Sequence, residues 1–232
     1  MNTHREYFLR HMAIGEQWVL RKGDVPSHYV ALEGPAIPNA EPSASPPLKG
    51  DEIETLREAI SSCHQCGMCL SSGKLVLTDQ VFHADVLVIY DWSELENFDT
   101  QVGADFKRLL VNILKSITVE PYRIASMSLL NANFPVSNLT VPSTESAKFC
   151  GEFLRRAIAV GKAKHLLVFG ARAANALFES NLDMGQLRTM QLQFADIPVV
   201  VTHSPYQLLT QPALKRDVWS DICRFQSSIK PE

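Results

Sequence analysis

The chain reads as an α/β protein: a three-layer α/β/α domain around a central, mostly parallel four-stranded sheet, preceded by a flexible N-terminal arm. Three observations predict it. Short continuous apolar runs such as Ala84–Tyr90 and Ile197–Val201 have the composition of strands buried on both faces. Between them lie amphipathic stretches with apolar residues three and four positions apart. Their regular alternation implies parallel strands joined by crossover helices that cover both faces of the sheet. With 232 residues the chain is long enough to bury a core without disulfides or metals, and one domain plus extra segments is expected.

Taken in order, residues 1–32 form one unit. Tyr7, Leu9, Met12, Ile14, Trp18 and Leu20 stand among His4, Arg5, Arg10, Arg21 and Lys22. A short helix is expected over Tyr7–Met12, with Gly15 and Gly23 as breaks in the stretch beyond it. The next segment, residues 33–50, includes five prolines in the fourteen residues from Gly34 to Pro47. Prolines at that density lack backbone donors and favour extended geometry, so the segment reads as a semi-stiff linker. Residues 51–232 are the α/β domain. Helices are expected at Asp51–Ser61, Val102–Ile117, Ser143–Val160, Ala171–Phe178 and Pro212–Gln226. Strands are expected at Ala84–Tyr90, Arg123–Leu129, His165–Gly170 and Ile197–His203.

Composition bounds the partners. Twenty-two Lys and Arg against 25 Asp and Glu give a net charge of −3, which argues against strong direct nucleic-acid binding. No apolar run reaches the ~20 residues needed to span a bilayer, and no secretory signal opens the chain, so a cytoplasmic location is expected. Five cysteines, three of them at Cys63, Cys66 and Cys69, suit a reducing compartment and a metal site better than a disulfide framework.

The chemistry-bearing residues gather at strand ends. In open α/β sheets ligands collect at the carboxyl ends of strands, where His203 is expected. The turn Phe169-Gly170-Ala171-Arg172-Ala173, the segment His203–Leu208, the Cys63-x2-Cys66 pair and the Glu145–Cys150 helix start together resemble the family 4 uracil-DNA glycosylase superfamily. The resemblance runs from about Leu56 to Ile222. It implies a flipped-base pocket after the first strand, built on small residues and an acid. Here that place reads Tyr90-Asp91-Trp92-Ser93-Glu94, two rings where the family has glycine. A flipped base needs a snug, empty pocket, so the site reads as catalytically degenerate. Ser204 also separates His203 from Pro205. Asp91 and His203 are vestigial catalytic candidates, as general base and as stabiliser of developing charge on a leaving uracil. A divergent uracil-excising glycosylase of base-excision repair is the alternative reading.

The N-terminal unit carries a second resemblance. Arg5-Glu6-Tyr7-x-Leu9-x-x-Met12-x-Ile14, followed by Trp18-Val19-Leu20-Arg21-Lys22, is similar to the opening of the psi-subunit family of DNA polymerase III. Pro212, Trp219, Ile222 and Cys223 resemble that family's C-terminal end. The family's members are clamp-loader accessory proteins with a degenerate glycosylase-like fold. The resemblance implies a non-enzymatic replisome adaptor. Its arm (Arg5, Tyr7, Leu9, Met12, Ile14, Trp18, Leu20 and Arg21) would dock on the tau/gamma-type subunits of the clamp-loader collar. Its folded domain would bind the chi subunit, and through it single-stranded-DNA-binding protein. Trp, Tyr and Arg are the residue types that dominate interface energetics, which supports the arm as a docking element on physical grounds alone.

The cysteines complete the reading. Glycosylases of family 4 hold a [4Fe–4S] cluster, and Cys63, Cys66 and Cys150 match three of its ligand positions. The fourth falls near Phe134-Pro135, where no cysteine stands, and Cys69 is expected to supply the missing ligand from the other side. Zinc on the same sulfurs, or with His64, is the second option, and free thiols the third. Cys223 is expected as a buried core thiol.

Overall fold

The computed structural model describes residues 51–63, 77–90, 101–117, 123–129 and 144–229. The arm and linker lie outside them, as do Asp91, Trp92, Cys66 and Cys69. In chain order the elements are α1 (Asp51–Ser61), α2 (Asp79–His83), β1 (Val86–Tyr90), α3 (Gln101–Ser116), β2 (Ile124–Ser128), α4 (Thr144–Val160), β3 (His165–Phe169) and α5 (Ala171–Phe178). They continue with α6 (Met184–Thr189), β4 (Leu192–Phe194), β5 (Ile197–Thr202), α7 (Pro205–Thr210), a 3₁₀ turn (Pro212–Leu214) and α8 (Lys215–Ile229).

The strands form one sheet in the order β2-β1-β3-β5-β4, all parallel except β4. Among the described residues the expected four strands are therefore five. The addition, β4, is a three-residue antiparallel edge strand joined to β5 by Ala195 and Asp196, with φ of 49° and 65°. Two left-handed residues make a tight hairpin whose twist matches its strands.

Side-chain alternation divides the core into two layers, one on each face of the sheet. Leu87 and Ile89 of β1, Leu166 and Val168 of β3, and Val199 and Val201 of β5 point to the face covered by α1, α2, α4, α5 and α6. Val86, Val88, Leu167, Phe169 and Val200 point to the face covered by α3, α7 and α8. The helices meet them with matching stripes: Phe106, Leu109, Leu110 and Ile113 of α3, and Val218, Ile222, Phe225 and Ile229 of α8. The three-layer arrangement follows from this burial on both faces. No helix among the described residues is long and apolar enough to cross a membrane.

At the amino ends of the strands Asp85 bridges two of the crossovers. Its carboxylate accepts the Arg123 backbone N–H at 3.1 Å and pairs with Lys164 Nζ at 3.0 Å. The hydrogen bond to Lys164, helped by the Arg123 amide, holds its pKa below the ordinary carboxylate value.

One helix contact depends on the absence of a side chain. A Cβ on Gly151 of α4 would lie 2.8 Å from the Ala176 carbonyl oxygen of α5. The same oxygen accepts a 2.8 Å hydrogen bond from Arg155 Nη1, one turn along α4. Gly151→Ala gains about 1 kcal/mol of helix propensity, but the obstacle is backbone and the overpacking cost of about 1–3 kcal/mol outweighs it. The variant is expected to unfold at lower urea concentration with an unchanged m-value, whereas a midpoint at or above that of the parent would contradict this packing.

Candidate functional site

The carboxyl ends of the four parallel strands form one rim. The register aligns Ser128, Tyr90, Phe169 and Thr202 across it. Because β2 and β3 flank β1 on opposite sides, the chain's direction of travel reverses at β1, the usual place for a crevice. Strand β3 leaves the rim through Gly170, whose φ of 99° is open to glycine and strained for any side chain. The Gly170 N–H donates to the Thr202 carbonyl at 2.8 Å, stitching the start of α5 to the end of β5.

His203 comes next, at the carboxyl end of β5 where the sequence places it. The residue after it explains a departure from the glycosylase pattern. Ser204 caps α7: its Oγ accepts the Tyr206 N–H at 3.2 Å, while Gln207 Oε1 accepts the Ser204 N–H at 3.1 Å. Pro205 then occupies the first helical position, where its missing donor costs nothing. The intervening serine is a capping residue.

His203 faces a buried ion cluster. Asp221 of α8 is 4% exposed and accepts from Thr202 Oγ1 at 2.7 Å. Arg188 of α6 donates to Asp221 through Nε at 2.7 Å and Nη2 at 3.3 Å, and through Nη1 to Asp217 Oδ2 at 3.0 Å. Arg224 closes the group, giving Nη1 to the Arg188 carbonyl at 2.6 Å and Nη2 to Asp221 at 3.4 Å. His203 Nε2 lies 4.0 Å from the same Asp217 Oδ2, and its side chain is 12% exposed. Among the described residues its Nδ1 has no hydrogen-bond partner. Burial, and then the Arg188 charge, push its pKa below the ordinary histidine value, against the raising effects of Asp217, Asp221 and a hydrogen bond with Gln207. The imidazole is neutral at pH 7, and two arginines and two aspartates balance one another beside it.

Tyr90, the last residue of β1, is turned towards the helices. Its ring meets Phe106 of α3 edge-on, with centroids 6.4 Å apart and planes at 67°. Asp91, the other vestigial catalytic candidate, lies outside the described residues, as do all eight arm positions from Arg5 to Arg21.

The cysteine set is seen in part. Cys63 is half-buried just past the end of α1, and Cys150 is 4% exposed within α4, against which α1 packs. Two of the four thiols named by the sequence thus come from packed neighbours. No group of three metal-ligating side chains occurs among the described residues, and Cys66 and Cys69 lie outside them. Cys223 is half-buried on the flank of α8, not the core thiol expected, because the core stripe of that helix runs through Val218, Ile222 and Phe225.

His203 is legible in the sequence, whereas Thr202, Arg188, Asp217 and Asp221 come to light only in the folded chain. One signal was present: Asp221 lies on the apolar face of an amphipathic helix, between Val218 and Ile222, where a carboxylate must be partnered.

No family model matches the chain, and no curated protein matches it.

Two half-buried histidines contribute to the acid response. His165, at the amino end of β3, is also held below its ordinary value, by burial and then by Lys164. For both, the unfolded chain takes up a proton near pH 6.5 while the folded chain still refuses it. Stability is therefore full above about pH 7 and falls as the pH drops through about 6.5 towards the folded values. Asp85 adds nothing in that window, since its stabilisation is lost only below about pH 3.9. Urea midpoints should decline between pH 7.5 and 5.5, with a flatter profile in His165→Gln and His203→Gln. An unchanged slope in both variants would locate the protons elsewhere.

Proposed function

We propose that the chain is a non-enzymatic replisome adaptor of the psi-subunit kind. The observation that carries this reading is the arm pattern, Arg5-Glu6-Tyr7 with Leu9, Met12 and Ile14, then Trp18-Val19-Leu20-Arg21-Lys22. It stands ahead of a Pro-rich linker and an α/β domain whose pocket-forming turn lacks glycines. In this reading residues 1–32 dock on the tau/gamma-type subunits of the clamp loader, with Trp18 as anchor. The domain 51–232 holds the chi subunit, which reaches single-stranded-DNA-binding protein in turn. A net charge of −3 suits protein partners better than phosphate backbones.

The cysteines enter the same proposal as a structural site. Cys63, Cys66, Cys69 and Cys150 would supply four thiolates to an iron–sulfur cluster or to zinc, pinning the segment after α1 to α4. Elemental analysis of anaerobically purified protein should find about one zinc or about four irons per chain, lost on Cys150→Ser; metal-free protein removes the site and leaves the adaptor reading standing.

A peptide of residues 1–23 should compete with the full chain for the clamp loader, and Trp18→Ala should weaken binding by about 2 kcal/mol or more. Full affinity in a chain beginning at Asp51 would refute the arm as the docking element.

The rim should excise no base. His203 is neutral and largely buried beside an ion cluster, and Tyr90 and Trp92 replace pocket glycines. A uracil-containing oligonucleotide is expected to survive incubation and alkali at the buffer rate. Excision that vanishes in His203→Ala would instead establish the divergent glycosylase.

A further inference from the structure

The ion cluster at the end of β5 contains a shared acceptor. Asp217 Oδ2 is 3.0 Å from Arg188 Nη1 and 4.0 Å from His203 Nε2. The first contact is a hydrogen bond and the second is one rotamer adjustment short of one. Asp217 is 46% exposed and sits in the first turn of α8, so its side chain has room to move. Arg188 does not depend on it alone, because Nε and Nη2 both reach Asp221.

We propose that His203 is a proton-operated latch in which its imidazolium takes Asp217 from Arg188. At neutral pH the ring is uncharged and Asp217 ties α8 to α6. When the ring accepts a proton from solvent it becomes a cation whose nearest carboxylate among the described residues is Asp217. Among the described residues the charged groups around it are few and placed to favour the exchange. From α6 comes Arg188, which repels the imidazolium; from α8 come Asp217 and Asp221, which attract it; from α7 comes the neutral Gln207. Asp221 cannot move with it, since Thr202, Arg188 and Arg224 hold it in the core. Asp217 is the member free to choose. The exchange releases the outer half of the α6–α8 clamp while the buried half stays closed. It fastens the rim of β5 to the first turn of α8 instead.

The device also accounts for the placement of the ring. Nδ1 lies buried without a partner among the described residues, so protonation is opposed until acid drives it. The exchange is set below the ordinary histidine range, where it acts as an acid response.

The test is an NMR titration of the full-length protein between pH 7.5 and 5, tracking the His203 ring, the Asp217 carboxyl carbon and the Arg188 Nε–H. All three should move with one apparent pKa below the free-histidine value. In His203→Gln the Asp217 and Arg188 signals should stay flat over the same range. In Asp217→Asn the His203 transition should move to still lower pH, and this variant keeps the proposal testable where the glutamine variant fails to fold. A His203 transition with silent Asp217 and Arg188 signals would overturn the latch. So would equal responses of those two groups in His203→Gln, or a His203 transition unmoved by Asp217→Asn.

Discussion

The carboxylate of Asp221 is the constraint around which the carboxyl half of the domain is arranged. At 5% side-chain exposure it has left water, and an unpaired charge there would cost several kcal/mol. Three elements supply what it lost: Thr202 from β5, Arg188 from α6 and Arg224 from its own helix. Each donor fixes more than the charge. Thr202 sets the height of α8 against the last parallel strand. Arg188 ties down the short helix that precedes the edge hairpin. Arg224 reaches past Asp221 to the carbonyl of Arg188, so the two arginines are locked to one another as well as to the acid. Replacing the group by apolar side chains of similar volume need not weaken the protein, but removing one member strands the others.

The same arrangement sets the charge state of the histidine at the rim. A general base needs a reachable lone pair and a pKa near the working pH. His203 is largely buried and hydrogen-bonds with Gln207, and its charge state answers first to burial and then to Arg188, Asp217 and Asp221. A parallel sheet of this order places its loops at the usual site of ligand binding, yet fold alone assigns no activity. In the proposed adaptor the rim keeps the scaffold's shape and turns its polar residues inward.

The fold was legible where burial on both faces produced a signal that needs no partner to be read. The runs around Val86–Tyr90, His165–Phe169 and Ile197–Thr202 are apolar because both layers press on them, and their spacing by amphipathic helices gives the three layers. What escaped was short. Helices α2, α6 and α7 have five or six residues, less than two turns, so no periodicity accumulates. Strand β4 has three residues, and its turn uses Ala195-Asp196 in place of the glycine or asparagine that announces such hairpins. These pieces are held by their surroundings: Leu187 of α6 and Phe194 of β4 are almost fully buried in a core supplied by other segments.

The site divides in the same way, and for a physical reason. His203 could be placed because its position depends on where a strand ends, which is a local property. Its partners could not, because Arg188, Asp217 and Asp221 are brought together over separations of about thirty residues by two helices that each pack on β5. A charged residue on a solvated face and one in a buried cluster look alike in sequence unless the surrounding pattern is apolar. Asp221 meets that condition; Arg188, in a six-residue helix, does not. The arm is the opposite case. Its reading rests on a run of residue types whose meaning lies in a partner's surface, so a linear pattern is the right carrier for it. An adaptor of this kind divides its information accordingly. In the proposed adaptor the contacts that would specify the partner are written contiguously, while those that hold the domain in register are dispersed along the chain and become visible only when it is folded.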